Sequence, residues 1–300
     1  MKKTGQSNST TPDRLLSLFA WTCALLLFSG FTGILGFLVA KGYKTINLEL
    51  IFGDTPVFNA IFLKQRVFDG LFPAIIGTLS LILLSMGFAL PTGLASGIFL
   101  AEYAPPRLKR FFSLLVDILA GIPSIVVGLF GFSITIFLHH FFSSRIFPCL
   151  LISALSLAFL VLPYIIKTCQ AAIESLPLQV RLTAPSLGAT RFENIIFVLL
   201  PACVSDIVSG IILAIGRCAE DTAVIMLTGV VATAGIPKSV FSNFEALPFY
   251  IYYMASEYSD PSELMKGYGA ALILIIICAG LFSLAHWIKH RMNQTSQYNY

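Results

Sequence analysis

Six stretches of this chain run for at least 21 residues with no ionisable Asp, Glu, Lys or Arg, or with only one. They are 15–40, 70–101, 118–144, 146–166, 194–216 and 267–288, and only Asp206 interrupts the fifth. A hydrocarbon core about 30 Å thick takes roughly 20 apolar residues in an α-helix. Lipid offers no hydrogen bonds, so such a stretch must satisfy its own backbone, which a helix does. The composition agrees. Of 300 residues, 57% are hydrophobic and only 11% charged, against about 25% charged in a soluble domain. The expected fold class is an all-α integral membrane protein, a six-transmembrane-helix bundle over 15–290 between tails 1–14 and 291–300. The first stretch is too long for the apolar region of a secretion signal and ends in no small-residue cleavage site, so it reads as a retained span.

Orientation follows from Lys and Arg. With six spans, the two tails and loops 101–117 and 167–195 share one side. That side holds 11 of the 19 Lys and Arg, including Arg107, Lys109, Arg110, Lys167, Arg181 and Arg191. Both termini are therefore expected to be cytoplasmic. The opposite side has an outer loop at 41–69, with a short helix expected in it, and a segment at 229–266 that holds the aromatic patch FYIYY, Phe249 to Tyr253. Tyrosines of this kind sit at membrane–water interfaces.

Small residues point to helix contacts. Gly30, Gly33 and Gly36 line one face of the first span, and Gly93 and Gly97 form G-x-x-x-G in the second. Such spacings let backbones approach closely in lipid. The six cysteines have no C-x-x-C pair; they read as packing residues, with Cys169 at the start of a cytoplasmic loop. His139-His140 reads as interfacial rather than metal-binding.

The most informative loop is AAIESLPLQVRLTAPSLGATRFENIIFVLLP, residues 171–201. Ser175 and Pro177 read as a helix start, and Gly188 as a helix stop. Thr190-x-x-Glu193 has the form of a capping box that opens the next helix. A short helix exposing Leu178, Arg181 and Leu182 to the cytoplasm is expected, a handle for a soluble partner. A tight connection between spans is the plainer reading.

The loop also resembles that of ATP-binding-cassette importer permeases, whose pattern is E-A-A, three residues, Gly, nine residues, I-x-L-P. Here Leu182-Thr183-Ala184 stands in the first position, followed by Gly188 and then Val198-Leu199-Leu200-Pro201. The family's Glu and first Ala are replaced by Leu182 and Thr183. GIFLAEYAP (97–105), LAGIPSIVVGLFG (119–131) and ILAIGRCAEDTA resemble segments of phosphate importer permeases, in order, over about 30–230. The resemblance is to the A-type membrane subunit of the bacterial Pst system. It implies the type I (MetI-like) permease fold and half of a phosphate pathway. The implied partners are a second homologous permease of the C type, a cytoplasmic ATPase dimer and an extracytoplasmic phosphate-binding protein, with membrane lipid as surroundings and no nucleic acid. The implied coupling residues are Leu178, Arg181, Leu182, Thr183, Ala184, Gly188, Ala189 and Thr190. Sulfate, molybdate or tungstate import is the neighbouring alternative.

No phosphate-binding G-x-x-x-x-G-K-[ST] sequence is present, so ATP would be bound and hydrolysed by a partner and the chain itself needs no cofactor. No nucleophile–base or metal constellation supports an intramembrane enzyme, and no internal repeat supports a stand-alone carrier. GIPSIVVGLFG places Pro123 inside the expected third span, where it would kink the helix beside Ser124 and line the pathway. GRCAEDTA places Arg217, Glu220 and Asp221 inside an apolar region. A continuous helix from Thr190 to Thr228 is expected there, with Arg217 and Asp221 paired at i,i+4 and Glu220 close by. Facing lipid, these charges would cost too much, so they are expected to face the bundle interior or a wet cavity. Two roles remain open: a structural ion pair, or a passing contact for an anion on Arg217. Where the family has Gly-Glu, this chain has Glu220-Asp221.

Overall fold

The computed structural model describes residues 11–53, 55–58, 70–142 and 146–297. Most of the expected N-terminal tail, the outer-loop residues 59–69 and Arg145 lie outside them. Six of the described helices are long and apolar enough to cross a membrane, as the uncharged stretches predict. They are α1 (Thr11–Gly42), α3 (Phe72–Ile98, continued by a π turn to Tyr103), α5 (Ser124–Phe141), α6 (Leu150–Glu174), α8 (Arg191–Glu220) and α11 (Pro261–Gln297). The helical ends reach into both expected tails. The shorter helices are α2 (Leu48–Phe52), α4 (Pro106–Ala120), α7 (Leu178–Ser186), α9 (Ala223–Thr228) and α10 (Leu247–Glu257). The face where α1 begins and α11 ends is called the near face below, and its opposite the far face.

The parallel pair α3 and α6 forms the centre. Its closeness comes from Gly93 and Gly97. A Cβ on Gly93 would meet Ile165 at 2.7 Å, and one on Gly97 would meet Cys169 at 2.7 Å. Between helices in lipid, close packing supplies the attraction that water supplies elsewhere. Leu81, Leu157, Val161, Ala214, Val224 and Ile225 fill the core that α5, α8 and α9 close around this pair. Cys169 is fully buried within α6, not at a loop's start, because α6 runs on to Glu174. The glycine face of α1 behaves differently. A Cβ on Gly30, Gly33 or Gly36 would meet no atom of a described residue within 4 Å. Within this chain α1 leans on α11 near the far face, where Phe37 meets Tyr268 edge-on at 5.6 Å and Gly42 packs on Leu272.

The expected third span divides. Helix α4 ends at Ala120, Gly121 caps it, and Pro123 is the extended residue preceding α5. Pro123 therefore kinks no helix. Its fixed φ and missing N–H suit the position before a helix, where no intrahelical donor is needed. Helix α5 alone has 18 residues, about 27 Å at 1.5 Å each, nearly the hydrocarbon thickness. Among the long spans, Pro91 in α3 and Pro163 in α6 do stand inside a helix.

On the far face the segment after α9 folds back and holds the start of α6. The first N–H groups of a helix have no partner inside it. Here Cys149 donates to the Thr228 carbonyl at 3.0 Å, Leu150 to Ser242 at 3.0 Å and Leu151 to Val240 at 2.8 Å. Gly229, at φ 156°, makes the turn while lying against the Cys149 backbone. Phe244 is fully buried, and Leu247 N–H donates to Thr78 Oγ1 at 2.9 Å, which ties the segment to α3. Glu245 accepts from Gly235 N–H at 2.7 Å, and burial pushes its carboxyl up to about 7. The aromatic patch forms α10, packed on α11. His139 Nδ1 lies 2.8 Å from the Ile146 carbonyl at this face, and no metal-binding cluster is present among the described residues.

Gly77 of α3 touches the Glu245 carbonyl so closely that no Cβ fits. Gly77→Ala is expected to lower stability by about 1–3 kcal/mol through overpacking, while Gly30→Ala leaves it unchanged. Thermal unfolding of the two variants in detergent checks this.

Candidate functional site

Two groups of residues carry the chemistry, one on the near face and one within the bundle. On the near face α6 ends where Ser175 caps it, with Ser175 Oγ bonded to the Ala172 carbonyl at 2.8 Å. Ser175 thus closes one helix rather than opening the next; Pro177 is the residue that precedes α7. The C-terminus of α7 is as expected. Ala189 N–H donates to the Ala184 carbonyl at 3.1 Å and Gly188 N–H to Pro185 at 3.0 Å, with Gly188 at φ 90°. This crossed pair is the Schellman closure, which favours glycine at that position. The capping box also forms: Thr190 N–H donates to Glu193 Oε2 at 2.7 Å, and Glu193 N–H to Thr190 Oγ1 at 3.3 Å.

Arg181 does not reach outward as expected. Its guanidinium donates twice to Glu102 Oε1, at 2.6 Å from Nη2 and 3.1 Å from Nε, and both side chains are largely buried. Glu102 belongs to the π turn that ends α3. Pro185, four residues after Arg181, has no N–H for the Arg181 carbonyl. Asn194 Nδ2 supplies that bond instead, at 3.0 Å. So α7 is held at one residue by its side chain to α3 and by its carbonyl to α8. Just beyond Asn194, α8 has its own π turn, Ile195–Leu199, where Leu200 N–H reaches the Ile195 carbonyl. The wide turn accommodates Pro201, which would break a regular ladder. With Arg181 turned inward, α7 presents Leu178, Leu182 and Thr183, while Ala184 and Ala189 are partly buried. Leu187 and Phe192 extend that exposed apolar surface.

Inside the bundle the expected continuous helix is broken. Helix α8 ends at Glu220; Asp221 is extended, at φ −75° and ψ 118°, and α9 begins at Ala223. Asp221 Oδ1 accepts from Val224 N–H at 2.9 Å, the bond of a helix-capping aspartate. Its side chain is buried, and Arg217 lies 3.8 Å away. The close partner of Arg217 is Glu220, at 2.7 Å, which is mostly exposed. The cation thus sits in the last turn of one helix and the anion at the start of the next, where each complements the charge of that helix end. A break at membrane depth is tolerated only where protein or a wet cavity surrounds it. Here α5 and α6 pack on α9: Gly128 lies against Ala223 and Val224, and Thr228 Oγ1 donates to Ser153 Oγ at 2.9 Å. Arg217 remains about one-third exposed, with Nε buried and unpartnered. Ser124, at the start of α5, is half-buried, and among the described residues no hydrogen bond joins it to this group. Asp117 pairs with Lys167, whereas Asp206 forms no ion pair among the described residues. Sequence reasoning missed Glu102 and Asn194. The missing donor at Pro185 was a usable signal for the second.

A polytopic bundle with a charged helix break in one span and a clamped, apolar-faced helix on the near face has the form of a membrane permease. The chain belongs to the binding-protein-dependent transport system inner membrane component family, whose model matches residues 93–294. It is 33% identical over 231 residues to phosphate transport system permease protein PstA 1 of Mycobacterium tuberculosis, covering 76% of this chain and 73% of that protein. It is 28% identical over 273 residues to PstA of Haemophilus influenzae, covering 90% and 88%. Among solved structures it resembles a chain of a bacterial alginate ABC transporter in complex with alginate pentasaccharide-bound periplasmic protein. That match has a TM-score of 0.66 at 17% identity and covers 93% and 96% of the two chains. A chain of the inward-facing MetNI methionine ABC transporter matches with a TM-score of 0.53 at 18% identity, covering 75% and 97%. The fold is therefore that of the type I, MetI-like importer permeases.

Glu102→Ala leaves the largely buried Arg181 without its acid, a loss of about 1–3 kcal/mol for a hydrogen-bonded charge. The variant is expected to raise amide hydrogen exchange across 178–187 severalfold, while Arg191→Ala leaves it unchanged. Exchange measured by mass spectrometry on the full chain decides this.

Proposed function

We propose that this chain is the membrane-spanning permease subunit of an ATP-driven phosphate importer and forms half of its translocation pathway. The observation that carries the reading is its kinship with phosphate permeases across segments that include both the charged break and the near-face loop. Related sulfate, molybdate and tungstate permeases are not favoured by that kinship. The near face is cytoplasmic, in keeping with its excess of Lys and Arg. A cytoplasmic ATPase dimer binds and hydrolyses ATP and receives the exposed face of α7. A second, C-type permease completes the pathway, and an extracytoplasmic binding protein delivers phosphate to the far face.

Within the pathway, Arg217 offers phosphate a contact. A guanidinium is permanently charged and its planar fork matches phosphate oxygens. Its Coulombic hold is moderated by Glu220, so the anion exchanges with an internal carboxylate rather than settling. Asp221 serves the break itself, as the cap of α9. The expected Arg217–Asp221 ion pair is kept at 3.8 Å, with Glu220 as the closer partner, so the two acids divide the labour.

Arg217→Gln is expected to lower labelled-phosphate uptake in whole cells by roughly 10- to 100-fold, the loss of one charge-assisted contact, with the complex still assembled in the membrane. Unchanged uptake would remove Arg217 from the pathway. At the near face, Gly188→Val forces a branched side chain into a left-handed backbone, at a cost of about 1–2 kcal/mol. Open space surrounds Gly188, so the cost is conformational. This variant is expected to retain the chain in the membrane and lose co-purifying ATPase; full ATPase recovery would disconnect α7 from docking.

A further inference from the structure

We propose that α4 lies in the plane of the membrane surface and binds anionic phospholipid headgroups through Arg107 and Arg110. The proposal rests on the membrane placement of the bundle alone and is independent of what is transported.

The surroundings of α4 fix where it lies. Helix α5 already spans the hydrocarbon, so the turn at 121–123 stands at the membrane boundary and α4, just before it, stands at the interface. Its own residues divide into three sectors at 100° per residue. Val116 is buried against the bundle, and Lys109, Ser113 and Ala120 beside it are partly buried. The next sector holds Leu108, Phe111, Leu115 and Ile118, all exposed, with Phe111 and Ile118 each 56% exposed. The third holds Arg107, Arg110 and Asp117, with the exposed Leu114 among them. An apolar sector bordered by a basic one is the pattern of a helix immersed at the headgroup–acyl boundary.

Charge decides what meets the basic sector. Three acids lie around α4, and each is already engaged: Glu102 by Arg181, Asp117 by Lys167 and Glu174 by Lys109. Arg107 and Arg110 are exposed and form no ion pair among the described residues. They stand one turn apart, Arg107 at the edge of the apolar sector. Two free guanidiniums beside immersed phenylalanine and leucine complement a lipid that carries a net negative phosphate on an acyl anchor. Each basic residue near an anionic surface contributes about 1 kcal/mol, a factor of about five in lipid preference.

The test places a tryptophan at Phe111 in a Trp21→Phe, Trp287→Phe background. The full chain is reconstituted in phosphatidylcholine with brominated phosphatidylglycerol or brominated phosphatidylcholine. Brominated phosphatidylglycerol is expected to quench preferentially, with a relative association constant of at least about five. Arg107→Gln with Arg110→Gln is expected to bring that constant to about one while quenching by brominated phosphatidylcholine persists, which shows that the helix still lies in lipid. Equal quenching by both lipids in the parent protein would overturn the headgroup site. Absence of quenching by either would overturn the immersion itself and assign this face to water or to another protein chain. Phosphate uptake by the Arg107→Gln, Arg110→Gln protein is read separately, so a failure of transport and a failure of lipid binding are distinguishable.

Discussion

Every break in a helix at membrane depth leaves backbone donors and acceptors that lipid cannot satisfy. Much of this molecule is arranged around that constraint. The break after Glu220 is met by a carboxylate, Asp221, which takes the Val224 N–H and stays buried. The charges in GRCAEDTA are thus placed where the chain leaves one helix and enters another, and the apolar sequence on either side is what makes them necessary. Helix α9 in turn needs neighbours, and Gly128 and Gly131 of α5 let it approach closely enough to share its bonds with α6.

The same constraint shapes the near face. Pro185 and Pro201 each remove a donor, and both losses fall beside α7. One is made good by an asparagine side chain, the other by a π turn. The result is a short helix that is clamped at Arg181 yet keeps its apolar side uncovered. Its polar anchor is fixed to α3 and α8, which leaves the apolar face free for the proposed ATPase. In the proposed complex, movement imposed on α7 therefore reaches α3 and α8 directly, without a flexible linker between.

The six spans were legible because charge is so costly in lipid that its absence alone marks them. The helix stop at Gly188 and the capping box at Thr190 were legible because each is a local hydrogen-bond pattern with few alternatives. The break at Asp221 was not, since an acid four residues after an arginine also reads as an ion pair along one continuous helix. Pro123 was misplaced for a similar reason: a proline inside an uncharged run is compatible with a kinked span and with the boundary between an interfacial helix and a short span. Glu102 and Arg181 are 79 positions apart, and nothing local in either segment signals the other. The glycines of α1 carry the spacing of a contact face, yet no described residue packs on them.

Helix ends ordinarily fray, because their outermost bonds are few and open to solvent. The start of α6 is different. Its first three amides are held by the carbonyls of Thr228, Val240 and Ser242, which come from a segment that is itself pinned by Phe244 and Thr78. Opening the first turn of α6 requires that whole segment to lift away. Fraying is thereby converted into a single cooperative event, and the far ends of α6 and α9 open together or not at all.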